Sequence, residues 1–281
     1  MAILVDLNQV MISGLLSQVN SKQRLEEDLI RHVVLNTLRS HIKKFKEYGE
    51  IILCCDSKQY WRKQMYPHYK AHRKDAREKS PLDWNMIFKV LNKLKADFKE
   101  NFPYKVIEVD LAEADDIIGT LTPRLSLSEK VLILSSDADF KQLHRYNNVK
   151  QYNPMLGIYV TSKHPVRDLK EKVIRGDKGD GIPSMLSADD TFIIGKRQSP
   201  ISKKKMEDWL EKEPKDFCET EEIYRNYRRN DLLINFDNIP EQIRANIVDE
   251  YESVKPSTKG KLYKYLVDNK LISLLECIED F

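Results

Sequence analysis

The hydrophobic positions of this 281-residue chain change rhythm near residue 165. Before that point, short apolar runs alternate with longer stretches of helical spacing. The runs are Ile3-Leu4-Val5, Ile51-Ile52-Leu53-Cys54-Cys55, Tyr104 to Val109 and Val131-Leu132-Ile133-Leu134. Short β-rich runs that are apolar throughout predict parallel strands covered on both faces. Leu29, Ile30, Val33, Val34, Leu38, Ile42 and Phe45 place a helix within Leu25 to Tyr48, with Gly49 as its stop. Trp84, Ile87, Phe88, Leu91, Leu94 and Phe98 mark a second helix that ends before Pro103. Ala112 to about Leu125 reads as a helix broken near Pro123, and Asp139 to Tyr146 as a short helix. Val149 to Tyr152 and Ile158 to Thr161 read as two short strands around Asn153-Pro154.

Beyond about residue 165 the strand signals stop. Helical spacing covers Val166 to Arg175, Lys203 to Leu210, Glu221 to Leu233, Pro240 to Tyr251, Lys259 to Asn269 and Leu271 to Ile278. The expected fold class is α/β: a mostly parallel central sheet with helices on both faces, followed by a C-terminal helical region. The expected division is 1–164 and 165–281, with a soft boundary because the last helices have the apolar faces to pack back onto the sheet.

Acidic residues fall where the apolar runs stop. Asp6 and Asp56 follow the first two strands directly. Asp137 and Asp139 follow the Val131 run through two serines, and Glu113, Asp115 and Asp116 follow the Tyr104 run. In parallel sheets ligands gather at the carboxyl ends of the strands, so these acids converge on one edge. Two carboxylates about 4 Å apart repel by roughly 4 kcal/mol at an effective dielectric near 20. A gathered set therefore calls for cations, and oxygen donors suit hard divalent ions such as Mg²⁺ or Mn²⁺. Any one of these acids, Asp116 or Asp139 for instance, is equally a helix cap. Caps use one acid per helix, however, and this chain supplies several together.

Two further segments carry chemistry. Ser57 to Lys79 holds eight Lys or Arg against Asp75 and Glu78, with Tyr60, Trp61, Tyr66 and Tyr69 interleaved. Cations hold phosphates and exposed rings stack on bases, so this stretch reads as a basic strap over the acidic edge. Arg175-Gly176-Asp177-Lys178-Gly179-Asp180-Gly181-Ile182-Pro183 is a glycine-rich turn between helices, able to present backbone N–H groups to a phosphate. Taken alone, that motif reads rather as an ordinary surface turn.

The net charge of +3 adds little, and 41% hydrophobic with 32% charged residues describes an ordinary soluble globular protein. Cys54, Cys55, Cys218 and Cys277 lack metal-ligand spacing and suit a reducing compartment. No apolar stretch approaches the 18 or so residues of a membrane span. A cytoplasmic location is expected.

Together these stretches resemble the 5′-nuclease superfamily of flap endonucleases, phage 5′-exonucleases and the 5′-nuclease domains of bacterial DNA polymerases. The likeness rests on Leu4-Val5-Asp6, Leu53-Cys54-Cys55-Asp56, Tyr69-Lys70-Ala71-His72-Arg73, Glu113-Ala114-Asp115-Asp116, Ser136-Asp137-Ala138-Asp139 and Gly176 to Pro183, in that order. Lys259-Gly260-Lys261-Leu262-Tyr263 is similar to the superfamily's phage ribonuclease H members. The resemblance implies a two-metal nuclease using Mg²⁺, with Mn²⁺ as a substitute. Asp6, Asp56, Asp115 and Asp137 would hold the first ion, with Glu113 nearby. Asp139, Asp177 and Asp180 would serve the second, with Asp116 outside them. Lys70 and Arg73 would contact the scissile phosphate from an arch or bridge over about residues 57–80, to which Tyr69 and Arg77 also belong. Gly176 to Pro183, with Gly179 and Gly181, would open a helix-three-turn-helix element that grips the duplex backbone. The usual Gly-x-Gly hairpin does not follow; Gly195 to Ser202 and a helix bearing Lys203 and Lys204 stand in its place.

The implied activity is 5′→3′ removal of RNA primers from RNA–DNA hybrids and attack on duplex or flap DNA during phage replication. Implied partners are DNA, RNA–DNA hybrids and replication proteins such as a single-stranded-DNA-binding protein or sliding clamp, with the chain a monomer. A non-catalytic nucleic-acid-binding protein would predict a broken acidic set, and the set here is complete. A nuclease for single-stranded RNA would leave the Gly176 motif and the helical half without a role.

Overall fold

A computed structural model describes residues 1–18 and 26–281. The sheet has six strands: β1 (Ala2–Asp6), β2 (Glu50–Cys54), β3 (Lys105–Ile107), β4 (Val131–Leu134), β5 (Val149–Asn153) and β6 (Ile158–Val160). Their order is β3-β2-β1-β4-β5-β6, parallel throughout except for β6, which pairs antiparallel with β5. The chain moves outward from β1 through β2 to β3, then returns to lay β4 on the other side of β1. The strand order thus reverses between β1 and β4, which is where open α/β sheets form their ligand crevice.

The unbroken apolar runs have the physical reason expected of them. Side chains alternate between faces along a strand, and both faces are covered. Ile3, Val5, Leu53, Leu132 and Leu134 join one core; Ala2, Leu4, Ile52, Val131 and Ile133 join the other. Each full burial of a Leu or Ile side chain stabilises the fold by about 1.5–3 kcal/mol, and the central strands β1 and β4 accordingly carry no polar side chain before Asp6 and Ser135.

The first core is closed by α1 (Leu7–Gln18), α2 (Glu27–Lys44) and α5 (Trp84–Asn101). The start placed at Leu25 for α2 falls outside the described residues. Helix α1 is unmarked by the hydrophobic pattern. It begins without a connecting turn at the end of β1, where Asp6 Oδ1 accepts the Gln9 N–H at 3.2 Å. Only Leu7, Val10, Met11, Gly14 and Leu15 are buried on it. Gly14 is required by close approach: a Cβ there would sit 2.6 Å from Thr37 Cγ2 of α2.

The second core is closed by α6 (Ala114–Leu125), by the 3₁₀ turn Ala138–Arg145 and by α11 (Glu241–Ser253). Pro123 does not break α6. It lies two residues from the helix end, so the one N–H it removes and its crowding of the Gly119 carbonyl fall where the helix is already stopping.

The chain's later helices divide between these cores and two smaller ones. Helix α7 (Pro165–Arg175) and α10 (Glu221–Ile234) pack with Tyr66 and Tyr69, while α8 (Lys203–Leu210) and α9 (Pro214–Phe217) form a satellite around Trp209. Helices α12 (Lys259–Asp268) and α13 (Ile272–Leu275) return to the first core through Leu262, Tyr265, Leu266 and Leu274. The end of the chain therefore belongs to the sheet.

Candidate active site

Four aspartates meet at the strand ends beside the reversal point. Asp6 ends β1 and is buried, its Oδ2 accepting the Ser135 hydroxyl at 3.0 Å from the β4 side. Asp56 follows β2 by two residues; its Oδ1 accepts the Ala114 N–H at 2.8 Å, tying it to the start of α6, and its Oδ2 accepts Asn8 Nδ2 at 2.7 Å. Asp115 occupies the first turn of α6. Asp137 starts the 3₁₀ turn, its Oδ1 accepting the Asp139 N–H at 2.9 Å. Secondary structure places all four, since each stands where a strand or helix begins or ends.

Their electrostatics are those of an unneutralised anionic set. Burial, then the charges of Asp56 and Asp137, push the Asp6 carboxyl up to about 7. Burial followed by Asp137 and Asp6 raises Asp115 well above the usual carboxylate range. Burial raises Asp137 too, with Asp180 and Asp177 adding to it and Lys172 opposing. No Lys or Arg forms an ion pair with any of the four among the described residues. The donors are all hard oxygens that repel one another, which suits a divalent ion. Among the described residues no three His, Cys, Asp or Glu side chains already close into a coordination shell.

A second acidic group lies toward α7 and differs in being compensated. Lys172 Nζ pairs with Asp139 and lies 2.7 Å from Asp177 Oδ2. Arg73 Nη2 lies 2.6 Å from Asp180 Oδ1, and Lys70 Nζ lies 3.8 Å from Asp180 Oδ2. Burial would raise Asp177, but Lys172 and backbone N–H donors outweigh it and hold the carboxyl below its ordinary value.

Glu113 and Asp116 form a third arrangement, a frame beneath the site. Arg62, buried, reaches Glu113 Oε2 at 3.0 Å, Asp116 Oδ1 at 2.7 Å and the Leu233 carbonyl at 2.8 Å. Asp116 Oδ2 accepts the Glu113 N–H at 2.9 Å and Trp61 Nε1 at 3.1 Å. Asp116 is fully buried with both oxygens engaged, so the structure does not bring it into the aspartate set. Its cap-like role follows from the first turn of α6 needing acceptors.

The basic segment corrects one expectation. Trp61, Tyr66 and Tyr69 were expected as exposed rings for stacking on bases, but all three are buried. They pack α3 (Trp61–Met65) against α6 and α10, because a large ring contributes more inside a core than in water. The Tyr69 hydroxyl donates toward Glu113 Oε2 at 2.9 Å and Asp180 Oδ2 at 3.0 Å. The cations do face the site. Lys70 Nζ donates to Glu113 Oε1 at 2.6 Å, and burial of its ammonium is outweighed by Tyr69, Asp180 and Glu113, which raise its pKa. The Lys70 backbone adopts φ +55°, unusual for a residue with a side chain, and its N–H donates to the Asp180 carbonyl at 2.8 Å. Arg77, on α4 (His72–Glu78), instead lies over the Phe88 ring at 5.1 Å.

Gly176 and Gly181 have positive φ. A Cβ on Gly176 would fall 2.3 Å from the Ile182 carbonyl oxygen, and one on Gly181 would fall 3.1 Å from that of His68. Gly179, Lys203 and Lys204 are exposed. Sequence reasoning passed over Arg62, Lys172, Asn8 and Ser135. Asn8 and Ser135 adjoin the acidic motifs, where they could have been noticed. No local pattern marks Arg62 or Lys172, since each meets its carboxylates only through the fold.

Comparison with known proteins agrees with this arrangement. The profile for "5′-3′ exonuclease, N-terminal resolvase-like domain" matches residues 3–174, and that for "T4 RNase H, C terminal" matches residues 164–281. The chain is 37% identical to the ribonuclease H of Enterobacteria phage T4, over 99% of this chain and 95% of that protein. It is 26% identical to a 5′-3′ exonuclease of Buchnera aphidicola over 54% of each. A flap endonuclease of bacteriophage T5, solved as a pseudo-enzyme–product complex with DNA and metal ions, shares the fold with a TM-score of 0.61 at 15% identity, covering 89% of this chain and 98% of that one. The family profile spans more than half of the sequence and the phage relative nearly all of it, so the chain belongs to the 5′-nuclease family and is a nuclease.

Proposed function

We propose that the chain is a divalent-metal-dependent 5′→3′ nuclease that removes RNA primers from RNA–DNA hybrids and degrades duplex or flap DNA from 5′ ends during phage replication. The observation that carries this reading is the unneutralised set of Asp6, Asp56, Asp115 and Asp137 beside the cationic Lys70 and Arg73.

Two Mg²⁺ ions, or Mn²⁺ in their place, would supply activation of the attacking water and Lewis-acid relief of charge on the phosphate when bound there. Asp6, Asp56, Asp115 and Asp137 would hold the first, and Asp139, Asp177 and Asp180 would serve the second, with Glu113 and Asp116 supporting from behind. Within the chain itself, Lys70 and Arg73 stabilise the phosphate's developing negative charge. Arg62 and Tyr69 fix Glu113 and so orient the Lys70 ammonium. Gly176 to Pro183 and the exposed Lys203 and Lys204 would hold the duplex backbone as a helix-three-turn-helix element. In the same reading the chain acts as a monomer in the host cytoplasm, alongside a single-stranded-DNA-binding protein or sliding clamp.

A cleavage assay on 5′-labelled nicked duplex, flap, fork and RNA–DNA hybrid, each with Mg²⁺ or chelator, tests the reading. Cleavage from 5′ ends confined to the Mg²⁺ arm supports it; cleavage in chelator, or of no substrate in Mg²⁺, rejects it. Asp115→Asn should abolish cleavage while substrate binding stays measurable by fluorescence anisotropy, and full activity would remove Asp115 from the metal set.

A further inference from the structure

The two acidic groups are of one chemistry but opposite electrostatic state, and for Asp139 and Asp177 Lys172 is the cause. It stands in the last turn of α7 and is about three-quarters shielded from solvent. From there its ammonium spans Asp139 of the 3₁₀ turn and Asp177 just beyond Gly176. It is also the strongest charge opposing the rise in Asp137. With Arg73 on Asp180, each carboxylate of the outer group has a cation of the chain's own. The inner group has none among the described residues.

We infer that Lys172 is a built-in counter-ion of the outer carboxylates, which a divalent ion must displace to bind there. The inference rests on the metal-dependent reading above and deepens it. A cation bound by Asp139 and Asp177 needs the oxygens that Lys172 now occupies, and an ammonium left within a few ångströms of a divalent ion would repel it. The inner aspartates present no such competitor and load first. The outer position then fills at a higher metal concentration, with Lys172 swinging its flexible four-carbon stem toward solvent or toward a substrate phosphate. Lys172 is thereby a positioning residue: it holds α7 and the Gly176 turn against the 3₁₀ turn before the second ion arrives. It also sets how readily that ion enters.

Calorimetric titration of the full chain with Mn²⁺ tests this, using the unaltered protein, Lys172→Met and Lys172→Arg. The unaltered chain should bind one ion tightly and a second more weakly. Lys172→Met keeps the aliphatic stem and should tighten the weaker step about tenfold, equivalent to about 1.4 kcal/mol, while Lys172→Arg should leave it unchanged. A weaker step that is unchanged or weakened further in Lys172→Met makes Lys172 a structural tether and overturns the inference with the metal reading intact. Absence of any Mn²⁺ binding to the unaltered chain overturns both. Should Lys172→Met not fold, reductive methylation of Lys172 in the unaltered chain, read by peptide mass spectrometry, decides instead. It should run several-fold faster in saturating Mn²⁺ than in chelator, and equal rates overturn the inference.

Discussion

At the scale of single residues, the distribution of charge decides what each acid can do. Asp6 shows how costly an unneutralised carboxylate is. Its pKa in the folded chain is raised from 3.8 to about 7, so between those values the folded state holds a proton that the unfolded state releases. Stability from this group is therefore present at low pH and is lost as pH rises from about 4 to about 7, by an amount on the order of a few kcal/mol. In chelator, melting temperature should fall across that window, and Asp6→Asn should flatten the fall; identical slopes would show that the Asp6 carboxyl is not raised. Lys70 belongs to the opposite class. Its ammonium is held charged by Glu113, Asp180 and Tyr69, and it reaches the site through a strained backbone position. Lys70→Ala should lower kcat about a hundredfold or more with a much smaller change in substrate affinity, and an unchanged kcat would reject its role at the phosphate. The aspartates and Lys70 were legible as residue types because each adjoins a strand end or a short basic motif. The burial of Trp61, Tyr66 and Tyr69 was not, since a ring in a charged stretch looks the same whether it faces water or a core formed by helices a hundred residues later.

Elements position these residues, and two glycines show how unequal apparently similar turns are. Gly176 and Gly195 have nearly the same dihedral, φ +70° and +68°. A side chain on Gly176 would collide with the Ile182 and Pro183 backbone, whereas nothing lies within 4 Å of one on Gly195. Gly195→Ala should cost only the backbone penalty, about 1–2 kcal/mol. Gly176→Ala should cost clearly more and weaken duplex binding as well, because Asp177 and Asp180 are set by that turn. Equal losses in denaturant titrations of the two variants would contradict this. The strands and long amphipathic helices were legible because both faces of a parallel sheet, or one stripe of a helix, must be apolar. Helix α1 was not, because only one contact at its start is local, Asp6 accepting the Gln9 N–H, and its packing of Gly14 against Thr37 is made through the fold.

For the whole molecule, the change of rhythm near residue 165 separates strands from helices but does not separate two cores. Leu262, Tyr265, Leu266, Leu271, Leu274 and Phe281 share a core with β1, β2 and β4, and Phe236, Ile239, Ile243 and Ile247 share the other. Cutting the chain after residue 258 should therefore expose one face of the sheet. A fragment 1–258 should lose cooperative melting or drop by well over 10 °C in circular dichroism, since several fully buried side chains contribute about 1.5–3 kcal/mol each; a native-like melt would show the C-terminal helices to be dispensable. The sequence by itself determined the sheet, its acidic edge and the order of motifs that marks the family, because these depend on short-range patterns: unbroken apolar runs, strand ends and glycine turns. Only the tertiary structure decided which acids remain uncompensated. Arg62, Lys70, Arg73 and Lys172 reach their carboxylates across separations of five to more than a hundred positions, and nothing in the local sequence constrains such a pairing.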